Sequence, residues 1–414
     1  MDYKVFLQNC AKKGITPGLE TMTALMAALG NPQDKIKTIH ITGTNGKGSC
    51  GAFLAGILQK KGYTVARYTS PAVFCEMEKY TINSIPAKEE DFGLCANEVA
   101  KACFDENISP SLFEAETAIA FLYFEKKQCD YAIIEVGMGG REDATNVIKA
   151  PVCSIITPIS DDHMAFLGNS VELIAKEKCG IIKQGCPVVS AMQLDCVKEV
   201  ITTSAQAQNS YLAFAKEAIY KGFDGQRQCF EYDGIDFEIS ALGIYQLQNA
   251  ALAIEAAKVV DEFSKEEIQG GIRDVIWQGR FEVINQNPSV IIDGAHNVAG
   301  VLALCKSLEE YFPQREFNFV TATFKDKEYQ KTTTIFAPMA KNIFAVETPN
   351  PRGLGSEEYA KSIKIHNKST YNSTIECAIG ECLKDKDAVT VCFGTLSFLS
   401  QIRQEVEKAY EKSE

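Results

Sequence analysis

The stretch that decides the fold reads Ile41-Thr42-Gly43-Thr44-Asn45-Gly46-Lys47-Gly48-Ser49. Small residues let backbone N–H groups wrap a phosphate chain, the following helix N-terminus adds positive potential, and Lys47 supplies a mobile charge for the terminal phosphates. The strict Gly-x4-Gly-Lys-Ser/Thr pattern is not met, because Ile41 replaces its first glycine and Gly48 separates Lys47 from the hydroxyl. The stretch predicts a variant phosphate-binding loop; the alternative is a tight strand-to-helix turn with chance glycines.

Strand and helix patterns alternate on either side of this loop. The predicted elements are strands at 38–42, 64–68, 131–136 and 152–157, and helices at 47–61, 87–104, 111–127 and 246–263. Strands separated by helices of this length favour a mostly parallel sheet covered on both faces. A β-hairpin over 228–240, turning at Asp233-Gly234, predicts a small antiparallel patch.

A second alternating series follows a polar connector around residues 285–288. Its predicted strands cover 290–293, 318–323, 343–346 and 388–393, with helices at 299–311 and up to residue 410. The predicted fold class is therefore α/β, with an N-terminal phosphate-loop nucleotide-binding domain at 1–280 and a C-terminal Rossmann-like domain at 281–414.

Composition excludes several classes of protein. The chain has 414 residues, 46% of them hydrophobic, and a net charge of −12, which repels nucleic acid. No apolar run approaches the roughly 18 residues that cross a bilayer, and the start lacks the pattern of a signal peptide. The 15 cysteines show neither a zinc pattern nor a disulfide framework. We expect a cytoplasmic protein without nucleic-acid or membrane partners, whose cysteines are small buried hydrophobes.

Polar residues stand where predicted strands end, at the sheet edge where ligands bind. Glu135 closes a buried strand before a Gly-rich loop, which makes it the first candidate for holding a nucleotide-bound Mg2+. His163 follows the strand ending at Thr157 and is the second candidate. A solvated strand-end glutamate and a structural histidine are the alternatives.

A last cluster lies where the second series begins. Asp293 and His296 occupy a strand-to-helix turn and Arg280 lies in the connector, so all three could face phosphates. The alternative is a helix-capping Asp293 with an incidental histidine. From spacing alone, Lys178 is one of several lysines on an amphipathic helix.

Together these residues resemble the folylpolyglutamate synthase and dihydrofolate synthase family of the Mur ligase superfamily. The resemblance is carried, in order and spacing, by Gly43 to Ser49, Thr69-Ser70-Pro71, Phe113-Glu114 with Thr117, Glu135 to Asn146, Asp162-His163, Glu177-Lys178, Gln246 with Asn249, Gly279-Arg280-Phe281 and Asp293 to Asn297.

This resemblance implies an ATP-dependent carboxylate-amine ligase. Such enzymes phosphorylate a folate or dihydropteroate carboxylate with ATP, and the amine of L-glutamate then displaces phosphate to form an amide. The acyl phosphate supplies the leaving group that a carboxylate lacks. ATP and Mg2+ are the implied cofactors, a monovalent cation is compatible with them, and a monomer is the implied state.

The resemblance also implies residue roles. It gives Ser70, Glu135 and His163 as metal ligands. The implied ATP contacts are Gly43, Thr44, Asn45, Gly46, Lys47, Gly48, Ser49, Asn249, Arg280 and Asp293, and the implied catalytic residues are Lys47, His296 and Lys178, the last as a carbamylated lysine. The implied substrate side is Phe113, Glu114, Glu142, Asp143 and Ala144.

The chain departs from the family near the acceptor site. Ala72-Val73 stands where the family usually has His-Leu, Glu78-Lys79 where it often has Glu-Arg, and Glu142 where the residue is usually apolar or aromatic. Lysine and arginine grip a carboxylate differently. Two alternatives stay open: a Mur-type ligase with another carboxylate acceptor, and a phosphate-loop ATPase acting on a protein partner.

Overall fold

The computed structural model describes residues 2–14, 18–161 and 168–411. The chain forms two compact units. The first comprises Met1–Ile219, Glu231–Glu238 and Gln248–Val275, and the second comprises Tyr220–Phe230, Ile239–Leu247 and Ile276–Glu414. The division at residues 280 and 281 stays a prediction.

The first unit is built on a sheet of eight strands. They are β1 (Lys37–Thr42), β2 (Val65–Tyr68), β3 (Tyr80–Ile82), β4 (Ile85–Pro86), β5 (Tyr131–Glu135), β6 (Cys153–Ile156), β7 (Val188–Ser190) and β8 (Leu212–Phe214). The order is β4-β3-β2-β5-β1-β6-β7-β8, and only the edge strands β3 and β4 run antiparallel to their neighbours. The predicted mostly parallel sheet is confirmed, and the loop after β1 leaves from its middle.

The described helices of this unit pack on the sheet or on one another, because their buried apolar faces require cover. They are α1 (Tyr3–Ala11), α2 (Glu20–Ala28), α3 (Lys47–Lys60), α4 (Glu89–Asp105), α5 (Leu112–Lys126), α6 (Val171–Lys178), α7 (Asp195–Ala207), α8 (Tyr245–Val260) and α9 (Lys265–Arg273). Residues 38–42 of β1 are all buried, the polar His40 and Thr42 included, as expected for a central strand of a sheet covered on both faces.

The predicted hairpin is present in a separate sheet of three strands. These are β9 (Ile219–Phe223), β10 (Gln228–Tyr232) and β11 (Ile235–Ile239), in the order β11-β10-β9. Asp233 and Gly234 both have positive φ, 54° and 75°, as a tight two-residue turn requires. The sequence prediction missed β9, whose alternate residues are exposed.

The second unit has a sheet of six strands. They are β12 (Glu282–Gln286), β13 (Ser289–Ile292), β14 (Phe317–Thr321), β15 (Ala340–Ala345), β16 (Thr370–Asn372) and β17 (Val389–Phe393), in the order β12-β13-β17-β14-β15-β16. All neighbours are parallel except β12 and β13. The helices are α10 (Val298–Tyr311), α11 (Tyr329–Phe336), α12 (Ser356–Lys364), α13 (Ile375–Cys382) and α14 (Leu399–Glu411). This arrangement confirms the predicted Rossmann-like character.

One sequence interpretation is wrong in this region. Residues 285–288 are not a connector, because Asn285 and Gln286 end β12 and the next two residues turn the chain into β13. Asn-Pro marks a turn equally well inside a hairpin and between domains, so composition alone could not separate the two.

Two further predictions can be compared with the described residues. All 15 cysteines are free, and the prediction of small buried hydrophobes is confirmed for ten of them, whereas Cys75 and Cys377 are exposed. Within residues 2–14, 18–161 and 168–411, no helix has the length and apolar character needed to cross a membrane.

Candidate functional site

The loop between β1 and α3 has the geometry that the sequence predicts, with a strand ending at Thr42 and a helix beginning at Lys47. Gly43 and Gly46 have φ of 144° and 89°. A Cβ at Gly43 would lie 1.9 Å from Thr157 Oγ1, and one at Gly46 would lie 2.3 Å from Asn249 Oδ1. Both positions therefore require glycine, for conformation and for close approach.

Hydrogen bonds fasten this loop to the segment after β6. The Thr44 N–H donates to the Pro158 carbonyl at 2.9 Å, and the Thr44 hydroxyl donates to the Ser160 carbonyl at 3.0 Å. The Ser160 N–H donates back to that hydroxyl at 3.1 Å. The loop thus has a defined shape, and the alternative of chance glycines does not explain these paired contacts.

Two lysines converge on the carbonyl of Gly43. Lys47 Nζ lies 3.4 Å from this oxygen and 3.7 Å from Glu135 Oε1. Lys178 Nζ, from the last turn of α6, donates to the same oxygen at 2.8 Å and is 5% exposed. The structure therefore singles out Lys178, which spacing alone could not distinguish from its neighbours.

Two of the three predicted metal ligands lie at adjacent strand ends. Glu135 is the last residue of β5, and Ser70 follows the end of β2, whose Tyr68 pairs with Ile134 of β5. Hydroxyl and carboxylate oxygens are the ligand types that Mg2+ prefers, so these residues fit such an ion. The third, His163, lies outside the described residues.

A buried cation stands beside the predicted metal ligands. Arg67 of β2 is 6% exposed. Burial lowers the pKa of its guanidinium to about 10, and the negative charge of Glu135 opposes that shift. Lys47 and Arg67 thus both contribute positive potential near Glu135.

The predicted substrate side gathers around the N-terminus of α5. The ring of Phe113 packs so closely on Gly137 that a Cβ there would lie 2.6 Å from its Cζ. Phe113 also stacks on Tyr68 with ring centroids 6.1 Å apart. An aromatic surface against a glycine backbone suits a flat heterocycle.

Asp143 organises the loop that faces this aromatic surface. Its Oδ2 accepts from the Met138 N–H at 2.9 Å, and its Oδ1 accepts from the Thr145 N–H at 3.0 Å and the Thr145 hydroxyl at 2.5 Å. It caps the short 3-10 helix Ala144–Val147. Burial raises the pKa of the Asp143 carboxyl, and these donated hydrogen bonds oppose that effect.

The two other predicted substrate residues have different surroundings. Glu114 is buried in a capping box, where its Oε2 accepts from the Ser111 N–H and hydroxyl, both at 2.7 Å. Glu142 is exposed. Glu114 therefore starts α5, and its role towards a ligand, like that of Glu142, stays a prediction.

The loop that departs from the family is ordered by Glu78. Its carboxylate accepts hydrogen bonds from the N–H groups of Val73, Phe74 and Cys75. The neighbouring Lys79 is buried and pairs with Glu116 of α5 at 2.7 Å. Burial favours the neutral amine, but the carboxylates of Glu116 and Glu76 outweigh this effect and raise the pKa of Lys79. Lys79, which stands where the family often has arginine, thus forms an internal ion pair with Glu116.

In the second unit, Asp293 directly follows β13 and accepts three hydrogen bonds. The donors are the Phe281 N–H at 2.7 Å, the Ala295 N–H at 2.7 Å and the Tyr245 hydroxyl at 2.6 Å. Burial raises the pKa of Asp293, which these donors oppose. The alternative of a helix-capping Asp293 is wrong, because Asn297 is the N-cap of α10.

Arg280 and His296 lie close to the same turn. A Cβ at Gly294 would lie 1.7 Å from Arg280 Nη1, so the guanidinium packs directly on that glycine. The His296 Nδ1–H donates to the Gly294 carbonyl at 2.8 Å. The structure brings Arg280, Asp293 and His296 together, as predicted. Sequence reasoning missed Tyr245, which no motif distinguishes.

Most of the chain matches two domains of known proteins. Residues 41–257 match the Mur ligase middle domain, and residues 279–394 match the Mur ligase, glutamate ligase domain. A Bacillus subtilis (strain 168) protein named dihydrofolate synthase/folylpolyglutamate synthase is 35% identical, over 98% of this chain and 99% of its own length. The chain belongs to the Mur ligase family. Its high-coverage relatives fall in the folylpolyglutamate and dihydrofolate synthase group, which confirms the resemblance.

Solved structures support the same assignment for this Mur ligase. Mycobacterium tuberculosis folylpolyglutamate synthase, complexed with ADP and AMPPCP, matches with a TM-score of 0.89 and 25% identity, covering 99% of this chain and 98% of that one. Escherichia coli FolC, in complex with DHPP and ADP, gives 0.89 and 25%, covering 99% of both chains.

Proposed function

We propose that this Mur ligase joins L-glutamate to the carboxylate of a folate or dihydropteroate with ATP. The γ-phosphate passes to the acceptor carboxylate, and ADP leaves. The glutamate amine then attacks the acyl carbon, expelling phosphate and losing a proton as the amide forms. The observation that carries this proposal is the convergence of Lys47 and Lys178 on the Gly43 carbonyl, next to Glu135.

Lys47 is the proposed partner of the terminal phosphates. Its contacts to Gly43 and Glu135 are long, 3.4 and 3.7 Å, and its side chain is 18% exposed. An ammonium held this loosely can transfer to a phosphate oxygen at little cost. Gly43–Ser49 and Asn249 complete the proposed ATP contacts of the first unit, and Arg280 and Asp293 are the proposed contacts of the second.

Ser70, Glu135 and His163 would hold Mg2+. When bound, the ion neutralises charge that develops on the transferring phosphoryl group. Lys47 and Arg67 would place positive charge beside the Glu135 carboxylate.

Lys178 is proposed to act as a carbamate. Its neutral amine would attack CO2 and release a proton, leaving one N–H on Nζ. That N–H would keep the present bond to the Gly43 carbonyl. A buried lysine is suited to this chemistry because desolvation favours the neutral amine.

On the acceptor side, the Phe113–Gly137 surface and the Asp143–Ala144 loop would receive the heterocycle, and Glu114 and Glu142 are the other proposed residues of this side. The catalytic role of His296, a monovalent cation, a monomeric state and a cytoplasmic location stay predictions.

The decisive experiment measures ADP release by the purified protein with Mg-ATP and L-glutamate. Dihydropteroate, tetrahydrofolate and no acceptor are compared, and products are identified by mass spectrometry. We expect turnover only with an acceptor, and a product heavier by one glutamyl unit. If neither pterin supports turnover, another carboxylate acceptor is favoured. If ADP is released without any acceptor, an ATPase is favoured.

A further inference from the structure

We propose that His40 is a positioning residue of the acceptor site, which acts through Thr145 to fix the carboxylate of Asp143. This inference rests on the proposed function and deepens it. His40 lies in the middle of β1, three residues before Gly43 of the phosphate-binding loop, and is fully buried.

An unbroken chain of short hydrogen bonds connects the three side chains. His40 Nε2 lies 2.8 Å from Thr145 Oγ1, and Thr145 Oγ1 lies 2.5 Å from Asp143 Oδ1. Thr145 is fully buried and Asp143 is 8% exposed. Buried hydrogen bonds are costly to break, so this chain constrains the side-chain geometry of Asp143.

The donors at Asp143 determine which group donates and which accepts in each of these hydrogen bonds. The N–H groups of Met138 and Thr145 can only donate, so the carboxylate is the acceptor end. The single hydroxyl proton of Thr145 therefore points at Asp143, and its oxygen accepts from His40. This arrangement requires the imidazole to carry a proton on Nε2. In the neutral ring Nδ1 then carries the lone pair, and this atom is buried with no hydrogen-bond partner among the described residues.

The surroundings of the ring agree with a neutral imidazole. The cation facing it is Lys183, whose Nζ donates to the Asn146 carbonyl at 3.3 Å. Burial, reinforced by Lys183, lowers the pKa of His40 to about 3. His40 thus stays a hydrogen-bond donor of fixed direction across the physiological pH range.

His40 should affect acceptor binding but not ATP binding. Asp143 and Ala144 form the proposed acceptor loop, whereas the phosphate contacts of Gly43–Ser49 do not involve Thr145. Loss of the His40 donor should release the Asp143 carboxylate and weaken acceptor binding without changing the use of ATP.

The first test compares His40→Leu with His40→Gln, whose amide Nε2 keeps a donor near the position of the imidazole Nε2. The matched control is Ser154→Ala, because Ser154 pairs in register with His40 and its hydroxyl donates elsewhere, to the Ile181 carbonyl at 3.1 Å. We expect His40→Leu to raise the KM for the pterin acceptor about fivefold to tenfold, the range of one lost hydrogen bond. The KM for ATP should change less than about twofold, and His40→Gln should restore most of the acceptor KM.

A second readout does not depend on activity. The chain has four histidines, so selective 15N-histidine labelling of the full-length wild type gives few imidazole signals, and His40→Gln assigns the one that disappears. The expected signal is a protonated Nε2 with an unprotonated Nδ1. A protonated Nδ1, or a cationic ring at pH 7, would overturn the proposal whether or not His40→Leu folds.

The outcomes separate this inference from the proposed function. Ligation to a pterin with an unchanged acceptor KM in His40→Leu would overturn the role of His40 and leave the function intact. A wild type that uses no pterin acceptor would overturn both, even with the expected tautomer. A KM effect of equal size in Ser154→Ala would show a general packing defect and would also overturn the positioning role.

Discussion

The two units each present a strand-to-helix turn at the carboxyl edge of a largely parallel sheet, and the two turns hold their charges in opposite ways. After β1, Lys47 makes long contacts to two described residues, at 3.4 and 3.7 Å. After β13, Asp293 accepts three hydrogen bonds of 2.7 Å or less. The Lys47 ammonium of the first turn is therefore available to a ligand, whereas the Asp293 carboxylate of the second turn stabilises the turn itself.

The two turns therefore differ in whether their charged side chain can move towards a ligand. A loosely held cation can move to a ligand, because little interaction energy is lost when it leaves. A buried carboxylate with three donors cannot move without leaving N–H groups unsatisfied. Asp293 therefore has its geometry fixed in advance and can offer a ligand only its remaining acceptor capacity.

The strongest test of the first turn is Lys178→Ala. We expect amide formation to fall at least about a hundredfold, as when one preorganised electrostatic group is removed from an active site. ATP affinity should stay within about threefold, because Lys47 and the loop backbone remain. The matched control is Lys176→Ala, an exposed lysine of the same helix. A comparable loss of ATP affinity would instead identify Lys178 as a brace of the loop.

His40 of β1 is buried as a neutral imidazole, so the free energy of unfolding should depend on pH. Above pH 6.5 His40 is neutral in both folded and unfolded chains; below it the unfolded chain takes up a proton that the folded chain refuses until about pH 3. The free energy of unfolding should fall by roughly 1.4 kcal/mol per pH unit in this window, or about 2 kcal/mol at pH 5.

Denaturant unfolding of His40→Gln at pH 7.5 and pH 5 measures this contribution. The variant should lose roughly 2 kcal/mol less than the wild type between these pH values. His366→Gln, at an exposed histidine, is the control. Identical pH dependence in His40→Gln and the wild type would contradict the burial of a neutral imidazole.

Close packing of the first turn can be tested at Gly46. Alanine there would adopt an unfavourable φ of 89° and meet Asn249 Oδ1 at 2.3 Å. We expect the Kd for ATP to rise about tenfold, equivalent to about 1.4 kcal/mol of strain. Gly62→Ala is the control, since Gly62 has a φ of 99° but no atom within 4 Å of its added Cβ. Equal effects on ATP binding in both variants would contradict the claim that ATP binding depends on close packing at Gly46.

The smallest effect is expected in the second turn, from Tyr245→Phe. Asp293 keeps two backbone donors, so the free energy of unfolding should fall by about 1 kcal/mol. The KM for ATP should change less than about threefold. Tyr371→Phe, at a tyrosine of β16 that is 48% exposed, is the control for calorimetry and kinetics. A tenfold change in the KM for ATP would break the proposed contrast between the two turns.

Short-range signals in the sequence predicted much of the fold. Gly43–Ser49 predicted strand, loop and helix, and Asp233-Gly234 predicted a hairpin, because both patterns depend on backbone geometry that few residues can adopt. The same reasoning failed at residues 285–288, where Asn-Pro marks a turn but does not say what the turn connects.

The sequence by itself determined the parallel sheets, the phosphate-binding loop and the positions of Glu135 and Asp293 at strand ends, because alternation and residue order are local properties of the chain. Only the tertiary structure decided that Lys178 reaches Gly43, that Tyr245 holds Asp293 and that His40 connects to Asp143. Those contacts join residues 135, 48 and 103 positions apart along the chain. No periodicity records such a distance, since it arises only when the strands and helices pack.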